Sequence, residues 1–370
     1  MKYGKLTQTA WQRSVRRQLH IEEQNLLLPP SPFETCSGIA YGEQCFLWAD
    51  AHVSGTNPQP GYYAVLHAAG ELAAKGVFPK GISVRVLFPP QAREEDLKAV
   101  TAEIVSACDR LGITVNSFQG ETASSVVAMT VFVTAVGEAV TRRLISAEKR
   151  NAKLASDVAL NPETYGLEGG GAEILLCGYA GLEGTLRILA EAENELETRF
   201  VSAFLTETKV LVKDLVSPAQ ILSLLKSITP GAEDTFKPEL PRVTAIRQIT
   251  GGGILAALWE LSESLGTGFE IDMPAVLLKQ ETVEICEFYR LNPYQMTSAG
   301  SFLIVTEDAQ VVMDILEQAG ARAVRLGVTK AQNARVITSG EEVRYLDRPA
   351  PDELELWQAR RKQDQMRSSQ

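Results

Sequence analysis

The sequence predicts an α+β protein of two domains, in which an N-terminal mixed sheet carries helices on one face and an α/β sandwich follows. The chain has 370 residues, more than one ordinary hydrophobic core accommodates. Its first part alternates strand-like and helix-like segments, which is typical of a mixed sheet covered by helices. The pattern weakens between about 141 and 171, and a second series of strands and helices follows. We therefore expect domains at 1–150 and 151–345, with a polar tail at 346–370.

In the first domain, strands are predicted where aromatic and β-branched residues concentrate, and helices where apolar residues recur at helical spacing. An alanine-rich helix is predicted to end at Gly76, and an amphipathic helix at Gly112, because glycine favours the left-handed conformation that closes helices. The predicted helices cover 4–19, 61–76 and 93–111, and the predicted strands cover 44–53, 81–88, 111–118 and 126–139.

The second domain is predicted to begin with the strand 172–181, which runs into glycines. Ser217 and Pro218 are expected at the N-cap and first position of a helix, where both residue types are favoured. The remaining predicted helices cover 182–193, 196–211, 249–266, 277–291 and 308–320, and the remaining strands cover 268–272, 301–306 and 322–329.

Composition excludes several classes of function. A formal net charge of −10 argues against non-specific binding of nucleic acid. The five cysteines and three histidines are scattered and lack the spacing of a zinc site. The odd number of cysteines argues against a secreted disulfide framework. No signal peptide and no apolar run of membrane-spanning length is visible, so no membrane association is expected. We expect a cytoplasmic protein.

Three acidic residues lie at positions where a phosphate-bound metal could be held. Asp50 ends a predicted strand, while Glu71 and Glu121 directly follow Gly70 and Gly120. Magnesium prefers oxygen ligands, and a glycine lets the backbone approach a phosphate closely. Each acid also has an ordinary interpretation: a strand end, a solvated helical residue or a turn.

Several longer segments resemble the AIR synthase-related (PurM-like) superfamily, and in particular its HypE-like members in hydrogenase maturation. "FLWADAHVSG" is similar to the family's "TTDS" strand end, "AAGELAAKGVFP" to its "NDLAAMGA-P" helix, and "FQGETASSV" to its "GGDT" loop. In the second domain "LLCGYAGLEGTLRIL" and "TGGGILAALWELSESLGTGFEID" resemble two glycine-rich segments. The resemblance covers most of the chain, from about residue 3 to 329.

The resemblance implies a homodimer formed by the first domain, with ATP in a cleft between the domains. It implies that magnesium on the phosphates is held by Asp50, Glu71 and Glu121. The nucleotide would be approached by a set of glycines, namely Gly70, Gly120, Gly178, Gly181, Gly184, Gly251, Gly252 and Gly253. The last three also have an alternative interpretation, a tight turn that allows close helix packing.

This chain departs from the family pattern at several positions. Where the family has an acidic "GDDAA" motif, the sequence reads "ETCSGIAYG". Gln248 and Gly251 stand where the family has an acid and an arginine. We therefore expect weakened or altered binding of magnesium and ATP. The last cysteine is Cys286, whereas the HypE reaction needs one near the C-terminus, so that reaction is not expected.

Two functions are consistent with this sequence. The first is an ATP-dependent enzyme that activates an oxygen of an unknown small substrate by phosphorylation. The alternative is a non-catalytic homodimeric protein that binds a nucleotide or serves as a scaffold after losing part of the acidic site. Nucleotide-dependent thermal stabilisation, with and without magnesium, would separate the two.

Overall fold

The computed structural model describes residues 4–20, 27–41, 44–55, 59–139, 170–228 and 242–368. The described chain forms two sheets, each with its own helices, and this confirms the predicted fold class. The predicted boundary near residue 150 lies outside the described residues, so the domain limits stay a prediction.

The first sheet has five strands in the order β1-β2-β5-β3-β4. Parallel pairing joins β3 to β4, and the other neighbours are antiparallel, so the sheet is mixed. Its elements are β1 (Cys36–Tyr41), β2 (Gln44–Ser54), α2 (Pro60–Ala74), β3 (Val77–Phe88), α3 (Glu94–Leu111), β4 (Thr114–Thr122) and β5 (Thr130–Ala139), preceded by the short helix α1 (Gln8–Trp11) and a π-helical turn (Gln12–Arg16).

Alternation along β2 shows how this sheet divides its two faces. Leu47 and Ala49 are fully buried under the helices, whereas Asp50 and His52 point to the opposite face. Helices α2 and α3 pack on the first face, with Val100 and Ile104 of α3 in the shared core. The opposite face carries no helix of the described chain, as predicted for the first domain.

The second sheet has seven strands in the order β12-β11-β8-β10-β6-β9-β7. Its strands are β6 (Glu173–Cys177), β7 (Val243–Gln248), β8 (Gly268–Asp272), β9 (Phe302–Thr306), β10 (Ala323–Lys330), β11 (Arg335–Ser339) and β12 (Glu342–Tyr345). The helices are α4 (Leu182–Leu196), α5 (Ser202–Val210), α6 (Pro218–Leu222), α7 (Gly253–Leu265), α8 (Gln280–Tyr289), α9 (Ala309–Gln318) and α10 (Glu353–Ser368).

Helices cover both faces of the second sheet, so its central strands are buried on both sides. All five residues of β9 are buried. Leu303 and Val305 face a core shared with Leu258 of α7, while Phe302 and Ile304 face a core shared with Val312 of α9. This layering explains why β9 reads as a continuous apolar run.

Two sequence expectations need correction. Gly120 and Glu121 were expected in a loop after a strand that ends at residue 118, but β4 continues through them to Thr122. The tail at 346–370 was expected to be polar, but its helix α10 buries Leu354 and Trp357. The strands β1, β7, β11 and β12 were not predicted, because they are short or lack a clear apolar alternation.

No helix among the described residues is long and apolar enough to cross a membrane.

Candidate functional site

Helix α2 carries several residues that contact the second domain, among them Leu66 and His67. Pro60 occupies its first turn, where the missing N–H costs no hydrogen bond. The carboxylate of Glu103 on α3 accepts from the backbone N–H groups of Gln59 and Gly61 at 2.8 and 3.1 Å. The start of α2 is thus capped by a side chain from the neighbouring helix.

Glu71 lies on α2 and is 7% exposed. The hydroxyl of Thr35 donates to its Oε2 at 2.6 Å. The Sγ of Cys36 lies 3.5 Å from the backbone carbonyl oxygen of Glu71. A buried carboxylate with a neutral hydroxyl partner is therefore present at the position where the sequence predicts a metal ligand.

Asp50 lies on the other side of the first sheet. It accepts a short hydrogen bond from the hydroxyl of Thr134 on β5. Together with His52, Arg85 and Gln119 it lines a cavity of about 460 Å³ on the face that carries no helix. Asp50 thus faces away from the side of the sheet covered by α2.

Glu121 is exposed near the end of β4, far from Asp50 along the sheet. In register, Asp50 is level with Ser117 of β4, four residues before Glu121. Four residues correspond to about 13 Å along a strand, and the three strand spacings from β2 to β4 add about 14 Å across. Asp50 and Glu121 of one chain therefore do not share a cation, contrary to the expectation.

Magnesium needs about six oxygen ligands at 2.0–2.1 Å, usually with several from water or phosphate. Within the residues that the structure describes, no three His, Cys, Asp or Glu side chains form a group that could hold a metal ion. One chain alone therefore does not fit a magnesium site made only of protein ligands. Nucleotide phosphates would have to supply most of the ligands.

Gly70 is one of the residues through which α2 contacts the second domain. A Cβ atom at this position would lie 2.3 Å from Nε2 of Gln248. Gln248 ends β7, is 2% exposed, and its Nε2 lies 3.5 Å from the carbonyl oxygen of Leu66. Its Oε1 is buried with no hydrogen-bond partner in the described structure. Glycine at position 70 thus makes room for the Gln248 amide, and the two together close this part of the domain junction.

The first glycine-rich segment of the second domain packs against 292–301, a segment of the same domain. A Cβ at Gly184 would lie 2.3 Å from Cγ of Met296, and one at Gly181 would lie 3.0 Å from the carbonyl oxygen of Pro293. At Gly178 it would lie 2.8 Å from the hydroxyl oxygen of Ser301. Close packing therefore explains these three glycines without a nucleotide.

The second glycine-rich segment forms the turn at the start of α7. A Cβ at Gly253 would lie 2.5 Å from the carbonyl oxygen of Tyr294, so this glycine also allows close packing. Gly252 adopts a left-handed conformation, with φ of 86°. At Gly251 a Cβ would meet no described atom within 4 Å. The turn therefore packs on one side and is open at Gly251.

Gly120 makes only ordinary contact, since a Cβ there would lie 3.5 Å from Cε2 of Phe88.

An ion network at the domain junction was missed by sequence reasoning. Glu183 of α4 is fully buried, and its carboxylate accepts four hydrogen bonds. His67 Nε2 and Arg187 Nη1 donate to Oε1 at 2.8 and 3.0 Å. Thr297 Oγ1 and the Ala299 N–H donate to Oε2 at 2.7 and 2.8 Å. Because His67 lies on α2, this carboxylate joins the two domains.

Burial would by itself raise the pKa of Glu183. The charge and hydrogen bond of His67, the charge of Arg187 and the hydrogen bond from Thr297 outweigh burial and hold the pKa well below its usual range. The carboxylate is therefore ionised at any physiological pH. One signal in the sequence could have indicated part of this network: Glu183 and Arg187 are four residues apart on a predicted helix, which places them on one face.

The domain junction also contains a groove of about 280 Å³ next to this network. Its wall includes Tyr63 of α2 and Leu186 of α4, with Glu193 and Lys209 at a polar edge. Lys209 Nζ and Glu193 Oε1 are 2.5 Å apart. The Arg187 guanidinium lies 5.7 Å from the centre of the Tyr63 ring. Both domains therefore contribute to this groove.

The two sheets, their connection through α2 and the acidic and glycine-rich positions at the junction define a class of protein. The chain belongs to the AIR synthase-related family: residues 38–139 match the model of its N-terminal domain, and residues 171–339 match that of its C-terminal domain.

Within this family the chain is similar to HypE proteins. It is 28% identical over 121 residues to the carbamoyl dehydratase HypE of Rhodobacter capsulatus, which covers 31% of this chain and 36% of that protein. The match thus spans about a third of the length of that relative.

Solved structures of HypE share the fold. The crystal structure of HypE from E. coli aligns with a TM-score of 0.61 at 19% identity, covering 82% of this chain and 86% of that one. A structure of HypE in complex with ATP aligns with a TM-score of 0.60 at 17% identity, covering 81% and 84%. These likenesses confirm the two-domain fold.

Proposed function

We propose that this protein is an ATP-dependent, HypE-like member of the AIR synthase-related family that acts in hydrogenase maturation. In this proposal ATP binds at the domain junction and phosphorylates an oxygen of a small substrate. The bond between the γ-phosphorus and the ADP oxygen breaks as the new oxygen–phosphorus bond forms, and the phosphorylated oxygen becomes a leaving group. Because ATP is an intracellular reactant, this role places the protein in the cytoplasm.

The observation that carries the proposal is Glu71. It is a buried carboxylate at the domain junction whose hydrogen-bond partner is the hydroxyl of Thr35. A buried carboxylate without a cationic partner is unfavourable unless it is neutralised, and a cation brought by a nucleotide would do so. A HypE protein with the same fold has been solved in complex with ATP, which supports nucleotide binding by this chain.

In this proposal Glu71 is the protein ligand of a magnesium ion that enters with ATP, and bound magnesium would neutralise the phosphates. Asp50 and Glu121 would take part only through the pairing of two copies, because one chain holds them too far apart. Gly251, which is open, is the glycine of the second domain that we assign to a phosphate contact.

The substrate oxygen is proposed to differ from that of a typical HypE reaction. Cys286 is 1% exposed, and burial, with a smaller contribution from Glu353, raises the pKa of its thiol to about 12. A buried, protonated thiol is a poor nucleophile. Cys286 is therefore not expected to be the acceptor.

We also propose that two copies pair through the face of the first sheet that carries no helix. This face exposes large apolar side chains, namely Ile39, Tyr41, Phe78, Phe132 and Val136. Two-fold pairing is the commonest way to bury such a surface. Light scattering at micromolar concentration should give a molar mass twice that of one chain. The Phe132→Glu variant should have the molar mass of a single chain. Val311→Glu, on an exposed position of α9, is the matched control.

A second function is favoured by one observation: the Gln248 amide packs directly against Gly70 and closes the junction where a metal would lie. A non-catalytic protein that binds a nucleotide, or serves as a scaffold, would keep the fold in this form.

Thermal unfolding with and without ATP tests the proposal and separates the two functions. Wild type is expected to be stabilised by ATP with magnesium, by about 2.7 kcal/mol at a ligand concentration of 100 Kd. Glu71→Gln should lose the magnesium-dependent part, whereas Glu197→Gln, on an exposed helix end, should behave as wild type. Stabilisation by ATP that is indifferent to magnesium and to Glu71→Gln would favour the non-catalytic protein. No stabilisation by ATP at millimolar concentration would contradict the proposal.

A further inference from the structure

The groove beside the ion network is a cavity that neither this network nor the proposed nucleotide site uses. Tyr63, His67 and Glu71 follow one another at intervals of four residues on α2, so they lie on one face of that helix. Tyr63 lines the groove, whereas His67 belongs to the network and Glu71 is the proposed metal ligand. Eight residues of helix span about 12 Å. The cavity, which we call the junction groove, is therefore about two helical turns from Glu71.

The walls of the junction groove are mostly aliphatic and come from both domains. Gln59 and Tyr63 line it on the side of the first domain. The second domain contributes four apolar side chains and the ion pair at the edge, namely Leu186, Leu189, Ala190, Val212, Glu193 and Lys209. The volume of about 280 Å³ would hold about nine water molecules, so a ligand with about that many non-hydrogen atoms fits. An apolar wall with few polar groups is the usual build of a small-molecule site.

One polar group of this wall lacks a partner. Tyr63 is 1% exposed, yet its hydroxyl forms no hydrogen bond with any described residue. By contrast, the hydroxyl of Tyr62 accepts from Nη1 of Arg110 at 2.8 Å. Beside the Tyr63 ring, Nε of Arg187 is also buried without a partner in the described structure. Buried tyrosine hydroxyls usually have a partner, so an oxygen atom of a ligand in the groove would satisfy this one.

The charges around the junction groove favour an uncharged ligand. Lys209 pairs with Glu193 at 2.5 Å. Arg187 pairs with Glu183 at 3.0 Å, so neither cation is left for an anionic ligand. Burial raises the pKa of Tyr63, and the negative charge of Glu183 raises it by more than Arg187 lowers it. The hydroxyl thus stays protonated in a negative potential that disfavours an anion. A cationic ligand would be buried without a counter-charge, because both carboxylates are already paired.

We propose that the junction groove binds a small uncharged aliphatic carbonyl compound, whose oxygen accepts a hydrogen bond from the Tyr63 hydroxyl while its chain packs on Leu186 and Leu189. Such a ligand touches α2 of the first domain and α4 of the second at once. Binding therefore stabilises the two domains in the described arrangement. The proposal concerns a site apart from the proposed nucleotide site and does not depend on ATP.

The test uses the full chain without nucleotide, with 2-hexanone as the probe and leucine methyl groups as NMR reporters. The methyl signals of Leu186 and Leu189 should shift saturably with a Kd of about 1 mM, the range expected for so small a ligand. The signals of Leu303, in the core of the second sheet, should not move. Tyr63→Phe removes only the hydroxyl and should weaken binding about two- to tenfold. Tyr62→Phe, at the adjacent position, is the matched control and should bind as wild type.

A second variant fills the junction groove. Ala190 is half-buried in its wall, so the indole of Ala190→Trp should occupy the cavity and abolish saturable binding of 2-hexanone. Val311→Trp places the same side chain on an exposed position of α9 and should bind as wild type. If Ala190→Trp does not fold, Tyr63→Phe still tests the proposal, because its hydroxyl has no protein partner to lose.

Three results would overturn the proposal. The first is the absence of a saturable shift of the Leu186 and Leu189 methyl signals at tens of millimolar 2-hexanone. The second is equal affinity of wild type and Tyr63→Phe. The third is tighter binding of hexanoate or hexylamine, which carry a chain of the same length and a charged head. Saturable binding of 2-hexanone by a protein that ATP does not stabilise would support the junction groove and contradict only the proposed function.

Discussion

Two buried glutamates lie at the domain junction, Glu71 in the first domain and Glu183 in the second, and their hydrogen-bond partners differ. Glu183 of the second domain accepts four hydrogen bonds, two of them from His67 and Arg187. Glu71 of the first domain accepts one from the hydroxyl of Thr35. Glu183 is fully buried and Glu71 is nearly so.

The difference teaches that burial of a carboxylate does not by itself indicate a ligand site. Glu183 is committed to holding two domains together, since its partners come from both. Glu71 retains capacity to accept further contacts, which is what a site for a cation requires. Asp352 is a further buried carboxylate with a structural role, because its two hydrogen-bond donors are backbone N–H groups of its own domain.

The largest effect is expected from removing the carboxylate with charged partners. Glu183→Ala leaves the buried Arg187 and the half-buried His67 without their acceptor, and breaking such a pair costs about 3–5 kcal/mol. The free energy of unfolding at pH 7, measured by urea denaturation, should fall by this amount. Glu197→Ala, on an exposed position just after α4, should change it by less than about 0.5 kcal/mol. If Glu183→Ala lowers the free energy of unfolding by less than about 1 kcal/mol, Glu183 does not stabilise the domain junction more than Glu71 does.

A pH-dependent effect of up to about 3 kcal/mol is expected from Asp352. Its pKa is about 6 in the folded chain against an ordinary value of 3.8, so between these pH values the folded state binds more protons than the unfolded state. Stability therefore falls as pH rises through this window. Urea denaturation between pH 4 and 7 should show wild type losing stability relative to Asp352→Asn. Parallel curves for the two proteins would contradict the assigned shift.

A smaller effect is expected from Gly70, beside Glu71. The Cβ of Gly70→Ala would collide with the Gln248 amide, and such overpacking costs about 1–3 kcal/mol. Because the collision is with a side chain, Gly70→Ala combined with Gln248→Ala should cost less than the sum of the single changes. Gly251→Ala, where the added methyl meets open space, is the matched control and should be nearly neutral. Additivity of the double change would mean that the two residues do not couple.

The smallest effect is expected from Glu71 itself. Glu71→Gln keeps an acceptor for the Thr35 hydroxyl, and no charged partner in the described structure is left unpaired, so unfolding should change by less than about 1 kcal/mol without ligand. Thermal and urea unfolding of the unliganded variant measure this. A loss as large as that of Glu183→Ala would assign Glu71 a structural role.

Much of the fold could be predicted from the sequence, because the long helices and strands have strong periodic patterns. Helix α3 was predicted to end at Leu111, as observed, with Gly112 in the left-handed conformation. The strand order could not be predicted, since the pairing of β4 with β3 rather than β5 depends on which edges meet. Helix α10 was underestimated because its apolar contacts, such as Trp357, are few among many charged residues.

Less of the candidate site could be predicted. Asp50, Glu71 and Glu121 were identified as acids near strand ends or glycines, but the register separates Asp50 from Glu121. The role of Gly70 depends on Gln248, which is distant in the sequence. Contacts between such distant residues leave no local pattern, and this is why the hydrogen bond from Gly252 to Asp352, which caps the glycine turn at the start of α7, was also missed.

The cap of the glycine turn has a consequence for how the chain is made. Gly252 and Asp352 are separated by 100 residues. At about 5–20 residues per second, a ribosome completes Gly252 roughly 5–20 s before Asp352. The strands β8 to β12 of the same sheet are also made in that interval, so this cap is one of the last contacts of the second domain that synthesis makes available.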